Sequence, residues 1–401
     1  METLHHDPVV PVLLGLSIVL IAAKIGAIIA NRLKQPEVLG ELIAGIVVGN
    51  LTLLNYQGLS FIAHDNQIAI FAELGVIILL FEVGLESNIK EMLAVGLKSF
   101  IVAVVGVITP FLIGYYISAL ILPDLENISR IFMGAILTAT SVGITARVFK
   151  DLKYTKTIEA KIVLGAAVID DILGLIILAI VSGMAQTGSI ELSSVATISI
   201  KAIGFVVLAL LLGTILAKRS IKLLSTFNVP GLILSIALVL CFITSYLANQ
   251  AGLATIVGAF CIGLVLDDVH FKSFKKEQSI EHYIRPISLF FVPIFFVVTG
   301  MHVDLAVFMN PSIIYGALAI TTVAILGKLV CGWCFTSKTP INRMIIGVGM
   351  IPRGEVGLIF ATVGKSIGVV NDELFAITVI MVILTTLIPP PILSYLIKKQ
   401  K

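Results

Sequence analysis

The sequence predicts an all-α polytopic membrane protein of thirteen transmembrane helices, with inverted-topology repeats and two crossing broken helices. Three features carry that expectation: composition, the alternation of charge between loops, and a pair of interrupted spans. Of 401 residues, 58% are hydrophobic and 13% are charged, where a soluble chain averages about 25% charged. A soluble protein of 42.8 kDa could not cover its surface with so few charges. The same numbers exclude a disordered chain, and four cysteines are too few for a disulfide scaffold. The alternating ten-residue segments of a membrane barrel are absent.

A bilayer core about 30 Å thick needs roughly 20 apolar residues per helix. Such stretches run over approximately 9–30, 36–53, 67–85, 95–121, 130–149, 158–185, 195–217, 228–247, 249–266, 285–303, 312–336, 341–366 and 371–397. Their connections are short, leaving no room for a soluble domain between them. The segment Met1 to Pro8 carries no Lys or Arg, and no small-residue cleavage site follows the first stretch. It reads as a retained first helix, not as a signal peptide.

Lys and Arg fall on alternate loops. Arg32 and Lys34; Lys90 and Lys98; Lys150, Lys153, Lys156 and Lys161; Lys218, Arg219 and Lys222; Lys272, Lys275, Lys276 and Arg285; Lys338 and Arg343; and Lys398, Lys399 and Lys401 all lie on one side. The opposite loops hold Arg130 and Lys365. By the positive-inside rule the basic side is cytoplasmic. Thirteen spans then place the N-terminus outside and the C-terminus inside a cell membrane. One missed or invented helix would break the alternation.

An ionisable residue near mid-membrane costs roughly 2.5–3.5 kcal/mol on insertion scales, so it needs a partner or a wet cavity. The sixth stretch, Val163-Leu-Gly-Ala-Ala-Val-Ile-Asp170-Asp171-Ile-Leu-Gly-Leu175, places two carboxylates side by side near its middle. Neighbouring helix positions point about 100° apart, so the two cannot face one partner. One can meet a cation on another helix while the other meets a cavity. Lys328, in Ala324-Ile-Leu-Gly-Lys328-Leu-Val, lies about as deep in the eleventh stretch. Its neighbours are apolar for more than two turns, which makes snorkelling a long reach and a buried pair the better reading.

Stretches five and twelve are broken in composition. Leu137-Thr-Ala-Thr140-Ser141-Val-Gly143-Ile-Thr145-Ala-Arg147 and Met350-Ile-Pro352-Arg353-Gly354-Glu355-Val-Gly357-Leu put Gly, Pro, hydroxyls and charges at mid-span. Each implies an unwound segment between two half-helices. Being seven spans apart, they run in opposite directions, which points to an inverted-repeat transporter and its midplane site. Half-helix ends of both signs would face each other there and need compensating charge, which Arg353 and Glu355 can supply. Any single Gly or Thr here is more simply a packing residue; the inference rests on the pair of breaks.

Other polar positions carry less. Glu73, Glu82 and Lys24 are as well explained by mutual pairing or interface placement. Asp267-Asp268 beside His270 reads as a helix-end loop. The six His show no metal-ligand spacing. Cys331-Gly-Trp-Cys334 matches a redox pattern but lacks the soluble βαβ context that pattern requires.

Several of these segments together resemble the Kef/NapA branch of the monovalent cation:proton antiporters, over nearly the whole chain. They are Pro36-Glu-Val-Leu-Gly40-Glu41-Leu-Ile-Ala-Gly45-Ile-Val-Val-Gly49, Glu73-Leu-Gly-Val-Ile-Ile-Leu-Leu-Phe-Glu-Val-Gly-Leu-Glu86, Thr140-Ser141-Val-Gly-Ile-Thr-Ala-Arg147 and Ile351-Pro-Arg-Gly-Glu355-Val-Gly. The resemblance implies a homodimer in which a six-helix core domain moves against a dimerisation domain. The dimerisation domain would take residues 1–94 and 223–306, the core 95–190 and 307–401, and a linker helix 191–222. It also implies transport of monovalent cations and protons, with no cofactor, no nucleic-acid partner and no enzymatic activity.

Potassium-efflux members typically carry Gln-Asp at the ion site and a cytoplasmic nucleotide-binding domain. Here Asp170-Asp171 stands at that site, and the chain ends in Lys398-Lys-Gln-Lys401 just after the last span. Asp-Asp with a lysine in span eleven resembles the electrogenic sodium/proton exchangers. By that likeness Asp170 pairs with Lys328, Asp171 carries Na+, and Thr140 and Ser141 border the site. Related enterobacterial exchangers have a carboxylate at about the Ser141 position, a departure that leaves the role of Ser141 open. Potassium or mixed-cation exchange is the alternative. An intramembrane aspartyl protease would draw its two carboxylates from two helices, and a channel fits paired inverted breaks poorly.

Overall fold

In lipid, every backbone N–H and C=O must be satisfied within the protein, which leaves an apolar chain the helix. A computed structural model describes residues 9–51, 58–85, 89–123, 125–187, 192–224, 231–266, 280–303, 305, 311–336 and 340–400. Among them every regular element is helical: α1 (Val9–Arg32), α2 (Glu37–Gly49), α3 (Ser60–His64), α4 (Asn66–Leu85), α5 (Ile89–Ile121), α6 (Asn127–Ile136), α7 (Val142–Asp151), α8 (Ile158–Thr187), α9 (Leu192–Leu224), α10 (Leu232–Gln250), α11 (Thr255–Val265), α12 (Ile280–Met301), α13 (Pro311–Leu329), α14 (Arg343–Gly349), α15 (Glu355–Ser366), α16 (Asp372–Leu387) and α17 (Pro389–Gln400). Seven helical stretches among the described residues are long and apolar enough to cross a membrane. The chain is an all-α polytopic membrane protein. Asp267, Asp268 and His270, like Met1 to Pro8, lie outside the described residues.

Several apolar stretches divide where the backbone runs out of donors or turns. The last one splits into α16 and α17 at Ile388, because Pro389, Pro390 and Pro391 have no N–H to continue the ladder. The eleventh tightens after α13 into a single 3-10 turn, Val330–Trp333. The ninth begins at Thr255 rather than near 249, since the chain first turns through Gly252 at φ 86°.

α12 packs along α4 and α2, and α5 lies along α8 while α13 lies against α5 and α16. The α2–α12 contact is backbone on backbone. A side chain on Gly45 would strike the Val297 carbonyl, and one on Gly300 the Leu42 carbonyl. Two apolar cores result, one running through α1, α2, α4, α8, α11 and α12, the other through α6, α13, α15 and α16. Ile25, Leu97, Leu120, Ile200 and Leu211 remain exposed on the outer faces, as suits contact with hydrocarbon rather than water.

Candidate ion site

The two breaks meet. α6 stops at Ile136 and α7 starts at Val142; α14 stops at Gly349 and α15 starts at Glu355. In the first gap the hydroxyls compete with the helix, and Thr138 Oγ1 donates back to the Ala135 carbonyl at 2.7 Å. In the second, Pro352 removes an amide and disfavours helical geometry for Ile351 before it. The Ser141 amide, left without an intrahelical acceptor, donates to the Pro352 carbonyl at 2.7 Å. Thr145 Oγ1 adds a bond of 2.7 Å to the Gly349 carbonyl at the end of α14. At Gly354 the two interrupted segments pack closely: a Cβ there would lie 2.8 Å from Ser141 Oγ.

Arg353 is fully buried at this crossing. Its Nη1 donates to the Ala139 carbonyl at 2.9 Å, and its Nη2 to the Ala324 carbonyl of α13 at 3.3 Å. A guanidinium thus meets one carbonyl beyond the end of α6, where the helix dipole is negative, and one within α13. The Arg353 carbonyl accepts from Thr386 Oγ1 at 2.9 Å, which fixes the break to α16. Glu355 opens α15, and its side chain lies outside the described residues.

α8 and α13 bring the deep charges together. Lys328 Nζ lies 3.5 Å from Asp170 Oδ2, with side-chain exposures of 0% and 2%. Gly106 on α5 packs beside the pair: a Cβ there would lie 3.1 Å from Cys331 Sγ and 3.4 Å from Lys328 Nζ. Arg353 is near enough to interact with Asp170 electrostatically as well, while the ion pair itself is with Lys328. Asp171, next along α8, is half-buried and not part of the Lys328 pair. Asp170 Oδ1 and Thr140 Oγ1 are buried oxygens with no hydrogen bond to a described residue. Hard oxygen donors of this kind suit an alkali cation. Among the described residues no cluster of three His, Cys, Asp or Glu could hold a resident metal ion.

Two further features were not read from the sequence as parts of one path. On the face of the basic loops, Arg147 of α7 binds three carboxylates: Asp151 Oδ1 at 2.8 Å, and Glu37 Oε2 and Glu41 Oε1 of α2 at 3.4 Å each. Lys150 of α7 pairs with Glu82 of α4, so Glu82 finds its partner on the broken helix and not in Lys24. Toward the opposite face, a cavity of about 480 Å³ separates α2, α4 and α12 from α15 and α16. Glu73, Thr299, His302 and Thr386 are its polar lining, and Gly354 lies at the crossing end. The signal for the first feature was the i,i+4 pair Arg147–Asp151 facing two glutamates one turn apart; only the fold shows that they meet.

Comparison with known proteins agrees with this architecture. Residues 18–399 match the family described as sodium/hydrogen exchanger, transmembrane. The chain is 40% identical to the high-affinity Na+/H+ antiporter NhaS3 of Synechocystis sp., over 95% of this chain and 88% of that one. It is 36% identical to the Na+/H+–K+ antiporter GerN of Bacillus cereus, over 95% of both chains. The Na+/H+ antiporter of Enterococcus hirae is 31% identical, over 96% of this chain and 97% of its own. The fold resembles that of the antiporter MjNhaP1 from Methanocaldococcus jannaschii, with TM-score 0.64 and 21% identity, over 98% of this chain and 97% of that one. The chain belongs to the sodium/hydrogen exchanger family.

Proposed function

We propose that the chain exchanges Na+ or Li+ for H+ across a cell membrane by alternating access, electrogenically, as a homodimer of the sodium-exchanging kind. The observation that carries this reading is the Asp170–Lys328 pair, buried beside a crossing of two broken helices. The relatives' names support sodium/proton exchange. In the thirteen-span arrangement, Asp170 pairs with Lys328 and Asp171 carries the ion. Thr140 and Ser141 border it, and Arg353 with Glu355 balances the helix ends.

Competition for one charge couples the two fluxes. A carboxylate in water-poor surroundings takes a proton more readily than one in water, so H+ and Na+ contend for it. Either ligand neutralises Asp171 and lets the core domain carry it past the barrier; an empty, charged site stays put. When Na+ binds, the Asp170–Lys328 bridge opens and Lys328 releases a proton. With the basic face inside, the cavity beside Gly354 and the ion pairs of α7 with α2 and α4 support the reading of a state open to the outside and tied shut toward the cytoplasm.

Potassium or mixed-cation exchange is the second reading, favoured by the likeness to GerN, whose name includes K+. Purified protein in liposomes with an internal pH dye, given Na+, Li+ and K+ in turn, separates them. Proton flux driven by Na+ and Li+ but not K+ supports the first reading. Equal flux with K+ supports the second.

A further inference from the structure

The basic face holds a second cavity, of about 760 Å³, that the ion path does not use. Lys153, Tyr154 and Thr157 of the α7–α8 connection line it on one side, and Trp333, Asn342 and Arg343 on the other. Its polar framework is held from within. Tyr154 Oη donates to Gln400 Oε1 at 2.7 Å, Thr157 Oγ1 to the Tyr154 carbonyl at 2.8 Å, and the Asn342 amide to Glu159 Oε1 at 2.9 Å. Glu159 is buried beneath and is not part of the lining. The two cations are spare by contrast: neither Lys153 nor Arg343 makes a side-chain hydrogen bond or ion pair with another described residue. Trp333 stands half-exposed at the rim, as does Met344 beside Arg343.

A roomy cavity of mixed polar and apolar lining, two unpaired cations and an amphipathic indole at a membrane edge have one chemistry in common. Lys and Arg near the surface attract anionic headgroups by about 1 kcal/mol each, a planar guanidinium suits phosphate oxygens, and Trp prefers the interfacial layer. We propose that this cavity binds a phosphate group, that of an anionic phospholipid of the leaflet on the basic face. The occupant would join the ends of α7, α8, α14 and α17 at the 3-10 turn following Lys328. It would thereby brace the elements that carry the ion site without touching an ion. The proposal stands apart from the choice of transported cation.

Trp333 is the chain's single tryptophan and reports directly on the cavity. Purified full-length protein in uncharged detergent is titrated with phosphatidylglycerol, with phosphatidylcholine and with inorganic phosphate, following Trp333 emission. Phosphatidylglycerol is expected to shift it saturably and phosphatidylcholine not to. In Lys153→Gln/Arg343→Gln the midpoint moves up by about tenfold or more, from the loss of two surface cations. In Lys201→Gln, outside the cavity, it stays. Inorganic phosphate that saturates the same signal and displaces the lipid supports the phosphate site and assigns it a soluble occupant. Should the double variant fail to fold, exposed Lys153→Gln alone carries the test with a shift of roughly fivefold. A midpoint unchanged by these substitutions, or an equal response to phosphatidylcholine, overturns the proposal.

Discussion

Ser141 and Pro352 are hydrogen-bonded to each other through their backbones, at 2.7 Å from amide to carbonyl. Each lies in an interruption that would be intolerable alone in lipid, because its freed N–H or C=O would have no partner. Together they close one another's deficit, and Arg353 takes the carbonyl of Ala139 that is left over. The crossing is therefore a built structure whose dimensions should matter.

Gly354→Ala tests those dimensions. The added methyl would lie 2.8 Å from Ser141 Oγ and 3.2 Å from its Cβ, so Ser141 must move. Overpacking of this sort costs about 1–3 kcal/mol, measurable as a lower unfolding temperature in detergent. Exchange in liposomes should fall more steeply than stability, by on the order of tenfold or more, since misplacement by an ångström is severe at a reacting site.

Lys328→Gln removes the cation that faces Asp170 at 3.5 Å. In the proposed cycle Lys328 releases the proton that makes exchange electrogenic. The variant should lose the effect of an imposed membrane potential on its rate, read by comparing proton flux with and without a potassium diffusion potential. Undiminished sensitivity to potential would remove Lys328 from the charge count.

Arg147→Gln leaves Glu41, which is 1% exposed, facing Glu37 and Asp151 without the guanidinium between them. Breaking a buried ion pair from one side costs about 3–5 kcal/mol. Glu37→Gln, at a side chain 37% exposed, should cost under about 1 kcal/mol. Thermal unfolding of the two variants gives the ranking. Equal effects would mean that the network does not join α7 to α2.

Tyr154 lies on the connection outside the spans, and burial together with nearby Glu159 pushes its hydroxyl up to about 12. A free tyrosine ionises near 10. The folded state therefore keeps its proton where the unfolded state loses it, so stability is fully present below about pH 10 and falls as the pH rises to about 12. Tyr154→Phe should lose the bond to Gln400, about 1 kcal/mol, and flatten that alkaline decline. Unfolding temperatures of both proteins from pH 8 upward check the sign.

Much of this was legible in the sequence for a physical reason: lipid punishes polar groups, so those that persist stand out. Asp170, Asp171 and Lys328 are visible because the residues flanking them along their spans are apolar, and the two breaks because Gly, Pro, hydroxyls and charges cluster inside otherwise apolar spans. The meeting of Arg147 with Glu37 and Glu41 was not visible. These residues lie near span ends, where charge is ordinary, and their contact depends on how α2 docks on α7. The split at Ile388 was missed because a triple proline within an apolar run still reads as hydrophobic. The cavity at Gly354 depends on the spacing of α4, α12 and α16, which no local pattern encodes.

The central claim is that one carboxylate, Asp171, is occupied by sodium and by a proton in turn. Sodium-driven proton flux in liposomes, measured side by side for the natural chain and Asp171→Asn at matched reconstitution, tests it most directly. The account predicts flux in the first and none above background in the second, at every pH tried. A variant that exchanges as fast as the natural chain would contradict it.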